Sequence, residues 1–178
     1  IMIDLVRLAR FAGARVILDR VVGIDRDTRQ VLFQDRPPIF YDVASIDIGI
    51  ASDLPDVAGF AEHAAAAKPL GAYAERWEAF VARALPSPRV VVVGGGIGGV
   101  ELALASHTRL SAAGAQPEIS VVQRGETALP GLGAGARRAL LARLSRAGIR
   151  LILGAEPLRI ASDQVALSNG QTLAADFI

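Results

Sequence analysis

The sequence predicts an α/β chain in two parts: a group of short antiparallel strands near the start, and a parallel sheet alternating with helices from residue 87 onwards. Three observations carry this. Three β-rich runs, separated only by turn-forming residues, crowd into residues 14–49. After Pro88 short apolar runs alternate with longer helical stretches, which is the texture of βαβ units. Between the first of those runs and its helix stand six residues, Gly94 to Gly99, of which five are glycine.

The elements follow in order. "IDLVRLARFA" (3–12) places Leu5, Leu8 and Phe11 at helical spacing behind Asp4, with Gly13 as a stop. "ARVILDRVVGID" (14–25), "RQVLFQD" (29–35) and "PIFYDVASIDIG" (38–49) read as a meander that ends in a more buried strand. Residues 50–68 mix Pro, Gly and Asp without a clean period and read as an extended connection. In "PLGAYAERWEAFVARAL" the residues Tyr73, Trp77, Phe80, Val81 and Ala84 share one helical face, an aromatic stripe suited to packing. "PSP" (86–88) ends that helix and marks a boundary.

Beyond the boundary, Val90–Val93 are all β-branched, as a strand buried on both faces requires. A helix runs from the glycines to about Leu110, then a turn at 112–117, a strand at 118–123 and a loop at 124–135. Residues 136–148 form a helix with Ala136, Leu140, Leu144 and Ala147 on one face and Gly148 as its stop. A third parallel strand at 149–154 leads into short antiparallel strands turned by Asn169-Gly170.

Composition excludes several classes. With 178 residues the chain suits one domain or two small ones. Lys and Arg number 19 against 18 Asp and Glu, so no basic footprint points to nucleic acid. There are no cysteines, hence no disulfide framework, thiolate metal site or redox-active dithiol in this segment. His63 and His107 lie in no metal-ligand spacing and read as surface or capping residues; no metal site is expected. Half the residues are hydrophobic and mean hydropathy is +0.39, yet no apolar run reaches the length of a bilayer span. The chain opens without a signal-peptide pattern and closes inside an apparent strand, which suggests a piece of a longer protein.

The glycine corner carries the chemistry. Gly94, Gly96 and Gly99 satisfy G-x-G-x-x-G, between a buried strand and a helix. Gly94 permits the tight turn, Gly96 lets a pyrophosphate approach the backbone, and Gly99 lets helix and strand pack closely. Gly95, Ile97 and Gly98 complete the loop, whose free N–H groups and helix dipole would face the phosphates. The acidic residue expected at the end of the second strand is here Gln123, followed by Arg124. Gln123 can hydrogen-bond a ribose diol but lacks the carboxylate that repels a 2′-phosphate, which Arg124 could attract; NAD and NADP both stay open. Glu101 is read on the first turn of the helix, where it suits the dipole and also points towards the nicotinamide side.

"VVVVGGGIGGVELA", with "YDVASIDIG" some 40 residues before it, resembles the flavoproteins with two dinucleotide-binding domains, the pyridine nucleotide-disulfide oxidoreductases and type II NADH dehydrogenases. "YDVASIDIGIASDLPDVAGFAEHAAAAKPL" is most similar to the NADH dehydrogenase-like module sometimes fused to selenide, water dikinase. The resemblance implies a Rossmann-like NAD(P)-binding domain inserted into an FAD-binding domain. On that pattern residues 1–52 are part of the FAD domain, 53–86 a connecting segment with its amphipathic helix, and 87–178 the NAD(P)-binding domain. It gives Asp47 and Gly49 a place beside FAD, although Asp47, Ile48 and Gly49 stand where the family usually has Ala-Thr-Gly. Glu101 matches the family glutamate near the nicotinamide and flavin.

The implied activity is hydride transfer from NAD(P)H to flavin and on to a small-molecule acceptor such as a quinone. It admits a cytoplasmic location, a peripheral membrane contact and a homodimer, with FAD held by the full-length parent. This chain lacks the FAD domain's own glycine motif and is expected to hold FAD poorly. The alternatives are a nucleotide-sensing module fused to another enzyme, and a flavin-free dehydrogenase with one Rossmann domain. For the second, Lys68, Tyr41 and Tyr73 form no catalytic motif.

Overall fold

In a computed structural model the chain divides into two compact units, Ile1–Ile48 and Gly49–Ile178. The structure describes residues 3–48 and 56–178.

The first unit holds helix α1 (Leu5–Phe11) and a three-stranded antiparallel meander of β1 (Val21–Asp25), β2 (Gln30–Phe33) and β3 (Ile39–Phe40). Asp4 caps α1: its carboxylate accepts from the N–H groups of Val6 and Arg7 at 2.9 and 3.1 Å. Asp25 closes the first hairpin in the same way, accepting from Asp27 and Thr28. Those bonds hold its carboxyl below the ordinary carboxylate value.

Two expectations fail here. The first β run pairs only from Val21, because β2 ends at Phe33 and offers nothing opposite residues 14–20 beyond one bond from Gln34 N–H to the Arg20 carbonyl. The last run is not a buried strand. Only Ile39 and Phe40 pair, and Val43, Ile46 and Ile48 are exposed. An apolar run becomes a strand only where another strand meets it, and among the described residues of this unit none does. No described residue of the unit is buried.

The second unit has three layers. Its centre is a parallel sheet of β4 (Arg89–Val93), β5 (Glu118–Val122) and β6 (Arg150–Ile152), in the order β4-β5-β6. Helices α3 (Leu70–Val81), α4 (Ile97–Ala112) and α5 (Ala134–Arg146) belong to one side. There Val90, Val92, Ile119 and Val121 pack with Phe80, Val100, Ala103 and Leu144. The other face is covered by a meander of β7 (Pro157–Ile160), β8 (Gln164–Leu167) and β9 (Thr172–Ala174), where Val91, Val122 and Ile152 meet Ile160, Val165 and Leu173. The valine run is thus buried on both sides, as its composition predicts. Gly170, at φ +84°, turns β8 into β9 at the expected Asn169-Gly170.

Residues 57–68 are not wholly extended. Val57–Gly59 leads into a single helical turn, α2 (Phe60–His63), and Ala58 bridges Arg159 of β7. Gly59 makes this possible: it has φ +81°, and a Cβ there would collide with the Ile160 carbonyl. The aromatic stripe of α3 does pack. Trp77 and Phe80 bring their rings to 5.3 and 4.9 Å from that of Phe177.

The C-terminal residues continue the sheet past β4. Val90 bridges Phe177 in parallel, and the Val91 N–H donates to the Phe177 carbonyl at 2.9 Å. Arg89 fixes this edge: its Nε and a terminal guanidinium nitrogen donate to the two carboxylate oxygens of Asp176 at 3.0 and 2.7 Å. The Arg89 backbone N–H adds a third bond to the same carboxylate at 2.9 Å. Hydrogen bonds from Arg89 hold the Asp176 carboxyl below its ordinary value of 3.8.

A depressed carboxyl stabilises the fold above its ordinary titration range and loses that contribution as pH falls through it. Asp176→Asn should therefore lower the melting temperature at neutral pH and flatten its decline in acid. Melts followed by circular dichroism from pH 7 to pH 3 check this, and parallel curves for the two proteins would refute it.

Candidate functional site

The site is built at the end of β4. Gly94 has φ +117°, a region L side chains rarely adopt, and its N–H donates to the Val122 carbonyl at 2.8 Å. Gly99, on the first turn of α4, lies so close that a Cβ there would sit 1.8 Å from the Gly94 carbonyl oxygen. Gly96 is different. It has ordinary φ −73°, and a Cβ there would meet nothing within 4 Å. A Cβ at Gly98 would likewise meet nothing within 4 Å.

Gly95 is held on both sides. Its N–H donates to Gln123 Oε1 at 2.8 Å, and its carbonyl accepts from the Leu129 N–H at 2.8 Å. Leu129 is fully buried and sits at φ +55°, a conformation that costs on the order of 1 kcal/mol for a residue with a Cβ. The burial of its side chain offsets that cost, and the geometry delivers its N–H to the glycine loop. Sequence reasoning leaves residues 124–135 as a plain loop. The signal in it is the apolar pair Ala128-Leu129, buried within a loop otherwise rich in glycine.

With Gly94 and Gly95 engaged, the N–H groups of Gly96, Ile97, Gly98 and Gly99 donate to no acceptor among the described residues. They are the orphan donors of the α4 N-terminus, and they border the space in front of Gly96. Ile97 and Val93 leave 46% and 40% of their surface exposed, which gives the corner apolar edges beside the donors. Such a corner can receive an anion with an adjoining apolar group. A pyrophosphate fits this cradle: donors are free, the helix dipole favours negative charge, and no side chain fills the approach.

The other expected residues are placed as follows. Gln123 lies at the corner, but its carboxamide oxygen is bound to Gly95 rather than exposed. Arg124 is exposed beside it and makes no ion pair among the described residues. Glu101 is not on the first turn of α4. The cap is Gly96, so Glu101 is the fifth helical residue, exposed and a turn removed from the dipole's positive end. Asp47 is exposed near the end of the first unit, and Gly49 lies outside the described residues.

A cavity of about 210 Å³ adjoins Val93, between α4 and the C-terminal residues. Leu102, Ser106, Tyr73 and Ile178 are among its lining residues, and burial pushes the Tyr73 hydroxyl above its ordinary value. It is smaller than the roughly 300 Å³ or more that small-molecule sites occupy, so it is not a dinucleotide pocket by itself.

Residues 8–178 match the family model described as pyridine nucleotide-disulphide oxidoreductase. No curated protein sequence matches the chain. Among solved structures it is similar to a ferredoxin reductase from Rhodopseudomonas palustris, at 24% identity and TM-score 0.75, covering 96% of this chain and 42% of that one. A FAD-dependent pyridine nucleotide-disulphide oxidoreductase from Desulfovibrio vulgaris matches at 21% identity and TM-score 0.65, over 93% of this chain and 43% of that one. The sulfide:quinone oxidoreductase of Aquifex aeolicus matches at 21% identity and TM-score 0.66, over 96% and 42%. These likenesses show the fold, and the chain spans less than half the length of each of these structures.

The geometry separates the glycines by role. Gly99→Ala should destabilise the chain by about 1–3 kcal/mol, because its methyl must displace the Gly94 backbone. Urea denaturation measures this, and a wild-type midpoint would refute the close contact.

Proposed function

This chain belongs to the pyridine nucleotide-disulphide oxidoreductase family, and on that premise we propose that it is the NAD(P)H-binding part of a flavin-dependent oxidoreductase. The observation that carries the reading is the corner itself. Four unpaired N–H groups, from Gly96 to Gly99, stand at the start of α4 beside an open approach to Gly96, while Gly94 and Gly95 are fixed by hydrogen bonds. A bound reduced nicotinamide dinucleotide supplies a hydride to an acceptor. The chain's own residues bind and orient it. Gly96, Ile97 and Gly98 donate to the pyrophosphate, Gln123 and Arg124 lie at the adenosine ribose, and Val93 and Ile97 flank the approach. Glu101 serves on the nicotinamide side in this reading, one turn further along α4 than the sequence suggests.

FAD is the receiver of the hydride in this proposal, and a small acceptor such as a quinone its destination. The family and the fold shared with the Desulfovibrio vulgaris and Aquifex aeolicus proteins support that assignment. Residues 3–48 contribute Asp47 and a meander to the neighbouring domain but hold no glycine-rich phosphate corner, so they do not fit FAD on their own. No step is assigned to them. Peripheral contact with a membrane accompanies the quinone reading; no helix among the described residues is long and apolar enough to cross one.

The chain should bind NAD(P)H without retaining flavin absorbance on purification. Gly96→Val tests the corner directly. Nothing within the protein opposes a side chain at this position, so the variant should melt within a few degrees of wild type. It should nevertheless lose dinucleotide binding, since its Cβ occupies the phosphate approach. Fluorescence titration with NADH and NADPH is the measurement, and unchanged affinity would remove the pyrophosphate assignment.

A further inference from the structure

We propose that Gln123 and Arg124 make this corner selective for the 2′-phosphorylated dinucleotide, NADPH, over NADH; the inference rests on the dinucleotide-binding reading above. Its basis is the bond from the Gly95 N–H to Gln123 Oε1 at 2.8 Å. A backbone N–H can be met only by the oxygen end of a carboxamide, so this contact decides which way Gln123 faces. The oxygen is engaged by the loop. Nε2, which carries two N–H donors and accepts nothing, diverges from it beside Gly125, where a Cβ would lie 3.3 Å away.

The side chain is also wedged. A Cβ on Gly95 would lie 2.8 Å from Gln123 Cβ and 3.1 Å from Cγ, so the stem lies flat on the glycine backbone. The free end of the Gln123 side chain is therefore a donor. A ribose 2′-hydroxyl is held best by a carboxylate that accepts its O–H. A 2′-phosphate has the opposite need: it takes donors and is repelled by a carboxylate. Arg124 adds a cation, exposed and unpaired among the described residues. One acid adjoins the loop, Glu126. Its carboxylate is turned against Gly154, 2.8 Å from where a Cβ there would sit, at the end of β6.

Calorimetric titration of the 178-residue chain with NADPH and with NADH tests this. NADPH should bind about tenfold more tightly or better. In Gln123→Glu one oxygen still accepts from Gly95 while the other carries charge towards the ribose. NADPH should weaken by about tenfold or more, NADH should tighten, and the melting temperature should hold. Arg124→Ala should lower NADPH affinity by a larger factor than NADH affinity, and this exposed position keeps the proposal testable should Gln123→Glu unfold. Equal affinities, tighter NADH binding, or a ratio unmoved by both substitutions overturns the selectivity while leaving the dinucleotide site standing. A chain that binds neither dinucleotide overturns both.

Discussion

Helix α4 can begin where it does only because position 99 has no side chain. The Gly94 carbonyl oxygen lies where a Cβ on Gly99 would be. Remove that close approach and the helix must back away from the end of β4, taking its first N–H groups with it. The rest of the corner is arranged around this contact. Gly94 takes a left-handed turn to bring its carbonyl under the helix. Gly95 is then pinned through its N–H by Gln123 and through its carbonyl by Leu129. What remains free is the row of N–H groups from Gly96 to Gly99. A preorganised row of donors costs nothing to align when an anion arrives, and the alignment comes from packing behind it.

The second unit shows how much of this was legible in the sequence. The burial of Val90–Val93 on both faces follows from four β-branched residues between breakers, and the turn at Gly170 from Asn169-Gly170. The G-x-G-x-x-G spacing placed strand, loop and helix. It assigned Gly96 to the phosphate approach and Gly99 to close packing, and a Cβ would meet nothing within 4 Å at the first and the Gly94 carbonyl oxygen at the second. It could not show that Gln123 spends its oxygen on the loop, since that bond joins residues 28 apart. The clamp from Leu129 is tertiary in the same sense. Glu101 was misplaced by one turn because a run of glycines leaves the cap ambiguous until the dihedrals fix it at Gly96.

The first unit marks where sequence reading runs out for a different reason. Its apolar runs have the composition of strands, but composition states only a capacity to pair. Val43, Ile46 and Ile48 meet no strand within the unit and stay exposed, as does Phe11 on α1. A meander of three strands with a two-residue third member has too little surface to bury its own apolar face. The second unit has two covered faces and a core on each. The same kind of residue therefore folded as expected in one unit and not in the other, and the difference is the presence of a covering layer.

The exchange of a carboxylate for a carboxamide at position 123 has a consequence beyond charge. A carboxylate has two equivalent oxygens, so one can accept from the glycine loop and the other from a ribose hydroxyl. A carboxamide has unlike ends. Once Gly95 takes the oxygen, the remaining end is a donor, whatever the rest of the site prefers. Holding the phosphate loop and reading the ribose are thus tied through one side chain. The loop, which contacts the pyrophosphate in this reading, sets the polarity of the surface offered to the far end of the same ligand. Arg124 follows directly in sequence and carries the sign that this polarity favours.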